Sequence, residues 1–112
     1  MREDKVLVLK RDAPNENYLV FHVKARLSNT HIDRFDFPLA DYAMKDIDDL
    51  GEVGRCIIEE LNEVDGIDCV FIKTYSLSVS KSVVFSWEEI LPDIYRILQK
   101  ALRKKLDFVV KE

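Results

Sequence analysis

Short apolar runs predict two strands near the start of the chain. Residues 6–9 are a strand-length run of Val and Leu, and residues 18–23 combine aromatic with β-branched side chains. Residues 11–17, between them, hold the proline, aspartate and asparagines that are typical of a turn. We therefore expect a β-hairpin with a long loop. A weaker pattern over residues 32–37 indicates an edge strand.

A helical period appears over residues 52–64. We expect Asp48 or Asp49 to cap this helix at its start and Gly66 to end it in a left-handed conformation. The apolar residues of its inward face are Val53, Cys56, Ile57, Leu61 and Val64.

The second half of the chain repeats the sequence of strand, strand and helix. Residues 67–72 form a largely apolar run, and residues 75–81 alternate, with Tyr75, Leu77 and Val79 predicted to face inward. This second strand has the composition to run on through residues 83–85. Ser86 and Glu89 have the spacing of a capping box, which predicts a helix from residue 87 to about residue 102. Residues 107–112 fit either a last short strand or a frayed end.

The predicted order is β-β-α-β-β-α. Hairpin-length connections within each strand pair favour antiparallel neighbours. We therefore predict an α+β fold, a two-layer sandwich in which a mainly antiparallel β-sheet carries two helices on one face. At 112 residues the chain has the length of one domain, residues 1–112.

Composition and charge narrow the class of partner. The chain is 47% hydrophobic and 34% charged, with a formal net charge of −4, so we expect no nucleic acid partner. Its apolar runs are far shorter than a membrane span, and two cysteines are too few for a secreted disulfide framework. We expect a cytoplasmic protein without a membrane partner.

The residues that could carry catalysis or bind a metal lack the spacing that those chemistries need. Cys56 and Cys69 are thirteen residues apart and are expected to be buried thiols; a metal site would require the fold to bring both sulfurs to His22 or His31. The serines of residues 75–81 lack a nucleophile turn, and the segment with Gly51 and Gly54 lacks the glycine density and the lysine of a phosphate loop. We predict no catalytic residue, no metal and no cofactor, and hence no enzyme.

Two surfaces are candidates for binding a protein partner. One is the loop Pro14, Asn15, Glu16 and Asn17, whose amides offer both donors and acceptors. The other is an acidic face with Glu59, Glu60 and Glu63, in a segment, residues 41–68, that has ten acids against two bases. A plain hairpin connection and a solvated helix face are the alternatives for these two surfaces.

Four sequence blocks, in order, carry a family resemblance. Residues 12–21 resemble the Thr-Pro-Asn-Pro-Asn-x-x-Lys-Phe stretch that opens the N-terminal domain of Nfu/NifU-type iron–sulfur cluster scaffold proteins. Residues 64–71, 75–81 and 87–94 resemble that family's Ile-x-Gly-Val-x-x-Val-Phe, Asp-Phe-Ile-Thr-Val-x-Lys and Trp-x-x-Leu-x-Pro-x-Ile blocks. The resemblance covers roughly residues 12–100.

The resemblance implies a role in iron–sulfur cluster assembly. The family's cluster-binding Cys-x-x-Cys belongs to a separate C-terminal domain and does not occur in these residues, so the resemblance implies an accessory domain rather than a cluster carrier. Glu16 and Val20 depart from the family pattern. We expect a monomer that binds a protein partner, with iron–sulfur assembly factors as candidates. The alternatives are a small-ligand or peptide-binding module that uses the Pro14–Asn17 loop, and a small enzyme without a recognisable motif.

Overall fold

The computed structural model describes residues 5–12, 17–41, 44–103 and 105–111, and the two terminal strands are described by their backbone alone. Nine elements follow one another along these residues. They are β1 (Lys5–Asp12), β2 (Tyr18–Val23), β3 (Ile32–Asp36), α1 (Met44–Asp49), α2 (Glu52–Leu61), β4 (Ile67–Lys73), β5 (Ser76–Lys81), α3 (Trp87–Leu102) and β6 (Lys105–Lys111).

The strands form one sheet in the order β3-β4-β5-β2-β1-β6. All neighbouring pairs are antiparallel except β1 and β6, which are parallel. The α+β class and the mainly antiparallel sheet predicted from the sequence are therefore confirmed. Residues 107–111, in the segment for which the sequence allowed a strand or a frayed end, belong to β6 beside β1.

A single apolar core lies between the sheet and the helices. Phe21 of β2 and Leu77 of β5 are fully buried, as are Ile58 of α2 and Ile94 of α3. The Phe21 ring meets Tyr95 of α3 edge to face, with 6.3 Å between ring centroids. Because α2 and α3 turn their apolar stripes to the same layer of buried strand residues, the opposite face of the sheet carries no helix in the described part of the chain.

The start of α2 differs from the prediction. Asp48 and Asp49 do not cap it, because they belong to α1, a short helix that the sequence analysis did not predict and that buries Ile47. Gly51 precedes α2 instead, with φ at +90°. The helix ends at Leu61, where the chain tightens into turns. Gly66 does take a left-handed conformation, with φ at +97°, but it does so in the turn before β4 and not at the helix end.

A bulge in β4 overturns the predicted burial of Cys69. The register with β5 shifts between Ile67 and Cys69, so one extra residue, Asp68, lies on the β4 side. An extra residue reverses which face the following side chains occupy. Val70 and Ile72 are buried, whereas Cys69 is only half-buried and lies on the helix-free face. Cys56, at the border of the α2 stripe, is also only half-buried, so the prediction of two buried thiols is wrong.

The β5 strand is shorter than the alternation allowed. Leu77 and Val79 are buried as predicted, but Tyr75 lies before the strand and is 57% exposed. The strand ends at Lys81, and Val83 and Val84 occupy an exposed turn. The predicted capping box then starts α3: the Glu89 carboxylate accepts the backbone N–H of Ser86 at 2.8 Å.

Candidate protein-binding site

The end of the predicted binding loop is fixed to the sheet through Asn17. Residues 14–16 lie outside the described part of the chain, whereas Asn17 is described and half-buried. Its backbone carbonyl accepts the N–H of Lys81 at 2.9 Å, and its side-chain Oδ1 accepts a hydrogen bond from Lys81 Nζ at 2.8 Å. One residue of β5 therefore binds both the main chain and the side chain of the last loop residue.

Lys81 is a buried lysine that the sequence analysis did not single out. Its side chain is 8% exposed, and its ammonium lies 5.7 Å from the centre of the Trp87 ring. A second acceptor is the carbonyl oxygen of Ser82 at 3.4 Å. The sequence did contain a signal, because Lys81 has the same parity in β5 as Leu77 and Val79. A lysine at an inward position needs buried hydrogen-bond acceptors. Without them, the loss of hydration of the ammonium destabilises the fold by on the order of several kcal/mol.

The turn after β5 places two exposed valines beside this loop end. Ser82 donates its N–H to the carbonyl of Gly66 at 2.7 Å, and the Phe85 ring packs directly over Gly66. Val83 and Val84, between these two anchors, are 77% and 79% exposed. Two adjacent β-branched side chains in an exposed turn contribute nothing to the core, so their apolar surface is available to a partner.

An acidic groove of about 440 Å³ adjoins the same turn. It lies between the end of α2 and the first turns of α3, and Phe85 forms part of its wall. Five acids and one base line it. These are Glu60, Glu63, Asp65, Glu89, Asp93 and Arg96. Asn17, the valine turn and this groove are thus connected through residues 81–85, and we call them together the docking end.

The three glutamates predicted as an acidic face differ in their surroundings. Glu63 is exposed in the groove, whereas Glu60 forms an ion pair with Lys100 of α3, whose hydrogen bond lowers the pKa of the Glu60 carboxyl. Glu59 pairs with Arg55 of its own helix at 2.9 Å. Cations from α2 and α3 therefore offset part of the acidity that the sequence of residues 41–68 indicated. Among the three glutamates, Glu63 has no ion pair with a described residue.

A shallow cleft of about 510 Å³ lies further along α2, on the side of Lys100. Cys56 is in it, and burial raises the pKa of its thiol, so the reactive thiolate is disfavoured at neutral pH. Within the described ranges, no group of three or more His, Cys, Asp or Glu side chains is placed to hold a metal ion. Among the same residues, no helix has the length and apolar content needed to cross a membrane.

The sequence of this chain matches the profile of a known protein family. A sequence profile described as "Scaffold protein Nfu/NifU N terminal" matches residues 8–105. The chain belongs to this family. The Nfu/NifU match spans β1 to the start of β6, and so includes Asn17, Lys81 and the valine turn. A search of curated proteins found no match.

Solved structures share the Nfu/NifU N-terminal fold. The solution structure of a NifU-like protein from Saccharomyces cerevisiae aligns with a TM-score of 0.60 at 20% identity, covering 92% of this chain and 82% of that one. The crystal structure of protein SAV1430 from Staphylococcus aureus aligns with a TM-score of 0.58 at 18% identity, covering 79% of this chain and 92% of that one. At these identities the likeness establishes the fold.

Proposed function

We propose that this Nfu/NifU N-terminal domain is a non-catalytic accessory domain that binds protein partners in iron–sulfur cluster assembly. The family membership supports the link to cluster assembly, because the matched family is that of a scaffold protein. In this proposal the chain acts as one domain and as a monomer in the cytoplasm. The Pro14–Asn17 loop and the acidic surface with Glu59, Glu60 and Glu63 remain the proposed contact residues.

The observation that carries the proposal is the composition of the docking end. Protein-binding surfaces combine an apolar centre with a polar rim. Here Val83 and Val84 supply exposed apolar surface, Asn17 supplies an ordered loop end, and the groove with Glu63 supplies negative charge on one side. A partner with an apolar patch flanked by basic residues would complement this arrangement.

Binding to purified proteins tests the proposal. The domain, labelled for fluorescence anisotropy, is titrated with iron–sulfur assembly proteins, including cysteine-bearing cluster scaffolds. The double variant Val83→Ser/Val84→Ser should bind its partner about tenfold or more weakly. Full burial of one valine side chain stabilises a complex by roughly 1.5–3 kcal/mol, and a tenfold change in affinity corresponds to about 1.4 kcal/mol. The control is Tyr75→Ser, which removes another exposed large side chain, 57% exposed, just before β5 and away from the docking end.

Two results would contradict the proposal. If no assembly protein binds at concentrations up to about 1 mM, which corresponds to a free energy of about −4 kcal/mol, the link to cluster assembly is wrong. If a partner binds but the valine variant and the Tyr75 control retain equal affinity, the contact surface lies elsewhere on the domain.

A further inference from the structure

The strand β3 stands at one end of the strand order, with β4 as its neighbour. Phe37, just beyond β3, donates its N–H to the carbonyl of Asp68 at 2.9 Å. Hydrogen-bonded pairs recur at every second residue of an antiparallel ladder, so Phe35 and Asp33 also direct their backbone groups to β4. Ile32, Arg34 and Asp36 therefore direct their N–H and C=O groups away from the sheet.

The neighbouring ladders agree with this assignment. Between β2 and β5, the N–H of Lys81 bonds to the carbonyl of Asn17, and the N–H of Val23 bonds to the carbonyl of Tyr75. These two bonds show which residue pairs of this ladder are hydrogen-bonded. Successive residues of a strand alternate between the two neighbouring strands. When this alternation is followed from β5 through β4 to β3, the result is the same. The backbone N–H and C=O groups of Phe35 point to β4, and those of Arg34 point away from the sheet.

A small cavity of about 110 Å³ lies beside this edge. Leu39 and Ala40 form part of its wall, and three charged residues also line it, namely Arg34, Asp36 and Asp46. At roughly 30 Å³ for each liquid water, the space suits one extended side chain. A lysine or arginine fits its chemistry, because the aliphatic stem would cover the apolar wall and the charged end would meet Asp46.

The charge around the edge favours a basic occupant. Residues 32–49 contain six aspartates against Arg34 and Lys45. Arg34 is already paired with Asp36 at 3.0 Å, and its guanidinium lies 5.5 Å from the centre of the Phe71 ring. Asp48 is likewise paired with Arg55 at 3.4 Å, whereas the exposed Asp46 has no ion pair with a described residue. The charge of Asp46 is therefore open to a cation from outside the domain.

We propose that the outer edge of β3 binds an extended protein segment carrying lysine or arginine at alternate positions, by adding it to the sheet as a further strand. The backbone groups of Ile32, Arg34 and Asp36 bond the segment, and the cavity receives one of its basic side chains. This inference rests on the proposed protein-binding function but uses a surface separate from the docking end. Ile32, 47% exposed on the helix-free face, adds an apolar contact for the intervening side chains.

A capped peptide of alternating lysine and valine is the probe. In the ¹⁵N-labelled domain, its addition should slow hydrogen exchange of the Ile32, Arg34 and Asp36 amides. The Asp33 and Phe35 amides, already bonded to β4, serve as internal controls. A peptide of alternating glutamate and valine should leave all five amides unchanged, because it has the same strand propensity and the opposite charge.

Two variants at one position isolate the backbone contact. Arg34→Ala and Arg34→Pro both remove the side chain, but only proline removes the outward N–H. A proline is tolerated there because an outward N–H on an edge strand makes no bond within the sheet. The proline variant should bind the lysine-valine peptide about fivefold or more weakly than the alanine variant, which is the effect of one lost hydrogen bond. Unchanged Phe35 and Phe71 amide shifts would establish that the pairing with β4 is intact.

A charge variant keeps the proposal testable if the proline variant does not fold. Asp46→Asn should weaken binding of the peptide, whereas Asp49→Asn, also exposed on α1 but not part of the cavity wall, should not. Equal affinity within each variant pair, or shift changes confined to Glu63 and Asp65, would overturn strand addition at β3. Those outcomes would not change the result of the Val83→Ser/Val84→Ser test at the docking end. Failure of strand addition at β3 is therefore distinguishable from failure of the proposed function.

Discussion

At the scale of single residues, Lys81 determines how the binding loop joins the sheet. A lysine in a strand interior is stable only if its ammonium keeps hydrogen-bond acceptors, and Asn17 supplies one of them at 2.8 Å. The same asparagine is one of the residues that the sequence indicates as a partner contact. Its structural role means that Asn15 and Asn17 have to be tested separately in binding experiments.

Replacing Asn17 is expected to destabilise the domain. Asn17→Ala removes an acceptor from a buried charge and should lower the free energy of unfolding by about 1.5–3 kcal/mol, the range for hydrogen bonds to charged groups. Urea denaturation measures this change. In the double variant Asn17→Ala/Lys81→Met the charge is gone, so the combined cost should fall below the sum of the single costs. Strictly additive costs would mean that the two side chains do not interact.

The ion pair between Glu60 and Lys100 is expected to give a pH-dependent contribution to stability. The hydrogen bond from Lys100 lowers the pKa of Glu60 relative to the unfolded chain. A lowered carboxyl pKa stabilises the fold above the unfolded value, and this contribution is lost as the pH falls through the folded value. Lys100→Met should therefore be less stable than the wild type at neutral pH, and the difference should be small because solvent screens a pair at the surface. In acid the two urea midpoints should converge; a constant difference at every pH would contradict this assignment.

At the scale of elements, a glycine inside α2 permits close packing against the chain after β2. A Cβ built on Gly54 would lie 2.8 Å from the backbone carbonyl oxygen of Leu27 and 2.7 Å from the Leu50 Cβ. Neither neighbour is the flexible end of a side chain. The sequence analysis considered Gly51 and Gly54 only as a phosphate loop, which it rejected, and the structure explains Gly54 by packing.

Gly54→Ala should destabilise the domain although alanine is the better helix former. The gain in helix propensity is about 1 kcal/mol, whereas overpacking a tight contact costs about 1–3 kcal/mol. The urea midpoint should therefore fall. Glu52→Ala changes an exposed position in the first turn of the same helix without adding volume to a tight contact, and it should change the midpoint little even though it removes the surface pair with Arg103. A higher midpoint for the Gly54 variant would show that α2 is not held this close to Leu27.

The two cysteines lie on elements that face different ways. Cys56 is on α2, which packs on the core side of the sheet, and Cys69 is on the helix-free face of β4, with its sulfur 4.0 Å from the Tyr18 hydroxyl. We therefore predict that the purified protein retains less than stoichiometric iron or zinc after dialysis, measured by elemental analysis. A full equivalent of metal that is lost in Cys56→Ser/Cys69→Ser would contradict this prediction.

The sequence predicts elements that have a long, regular pattern of apolar residues. It does not predict features that depend on the position of a single residue. The capping box at Ser86 and the apolar stripe that follows it specify α3 directly, because both signals are local. The bulge at Asp68 is different: one extra residue moves Cys69 to the other face, and a run of mixed apolar residues does not reveal where it falls. The exposed turn with Val83 has the composition of a strand, so only tertiary structure distinguishes the two.

At the scale of the whole molecule, fold topology brings two separately predicted surfaces to one end. The Asn17 loop and Glu63, in the turn after α2, are distant in sequence, and the β5–α3 turn connects them through Lys81 and Phe85. Sequence analysis identified both surfaces but not their proximity, because it depends on β5 pairing with both β2 and β4. The pairing of Glu60 with Lys100 of α3 is likewise a tertiary effect, whereas Glu59 and Arg55 have the local i,i+4 spacing of one helix.

A backbone amide shift map of the domain bound to an iron–sulfur assembly protein tests the central claim most directly. The account predicts changes at Asn17, at residues 82–85 and at residues 63–66, and these changes should diminish as salt is added, because exposed charges are screened over about 8–10 Å. Changes confined to Ser76, Ser78 and Ser80 on the helix-free face, with the docking end unaffected, would contradict it.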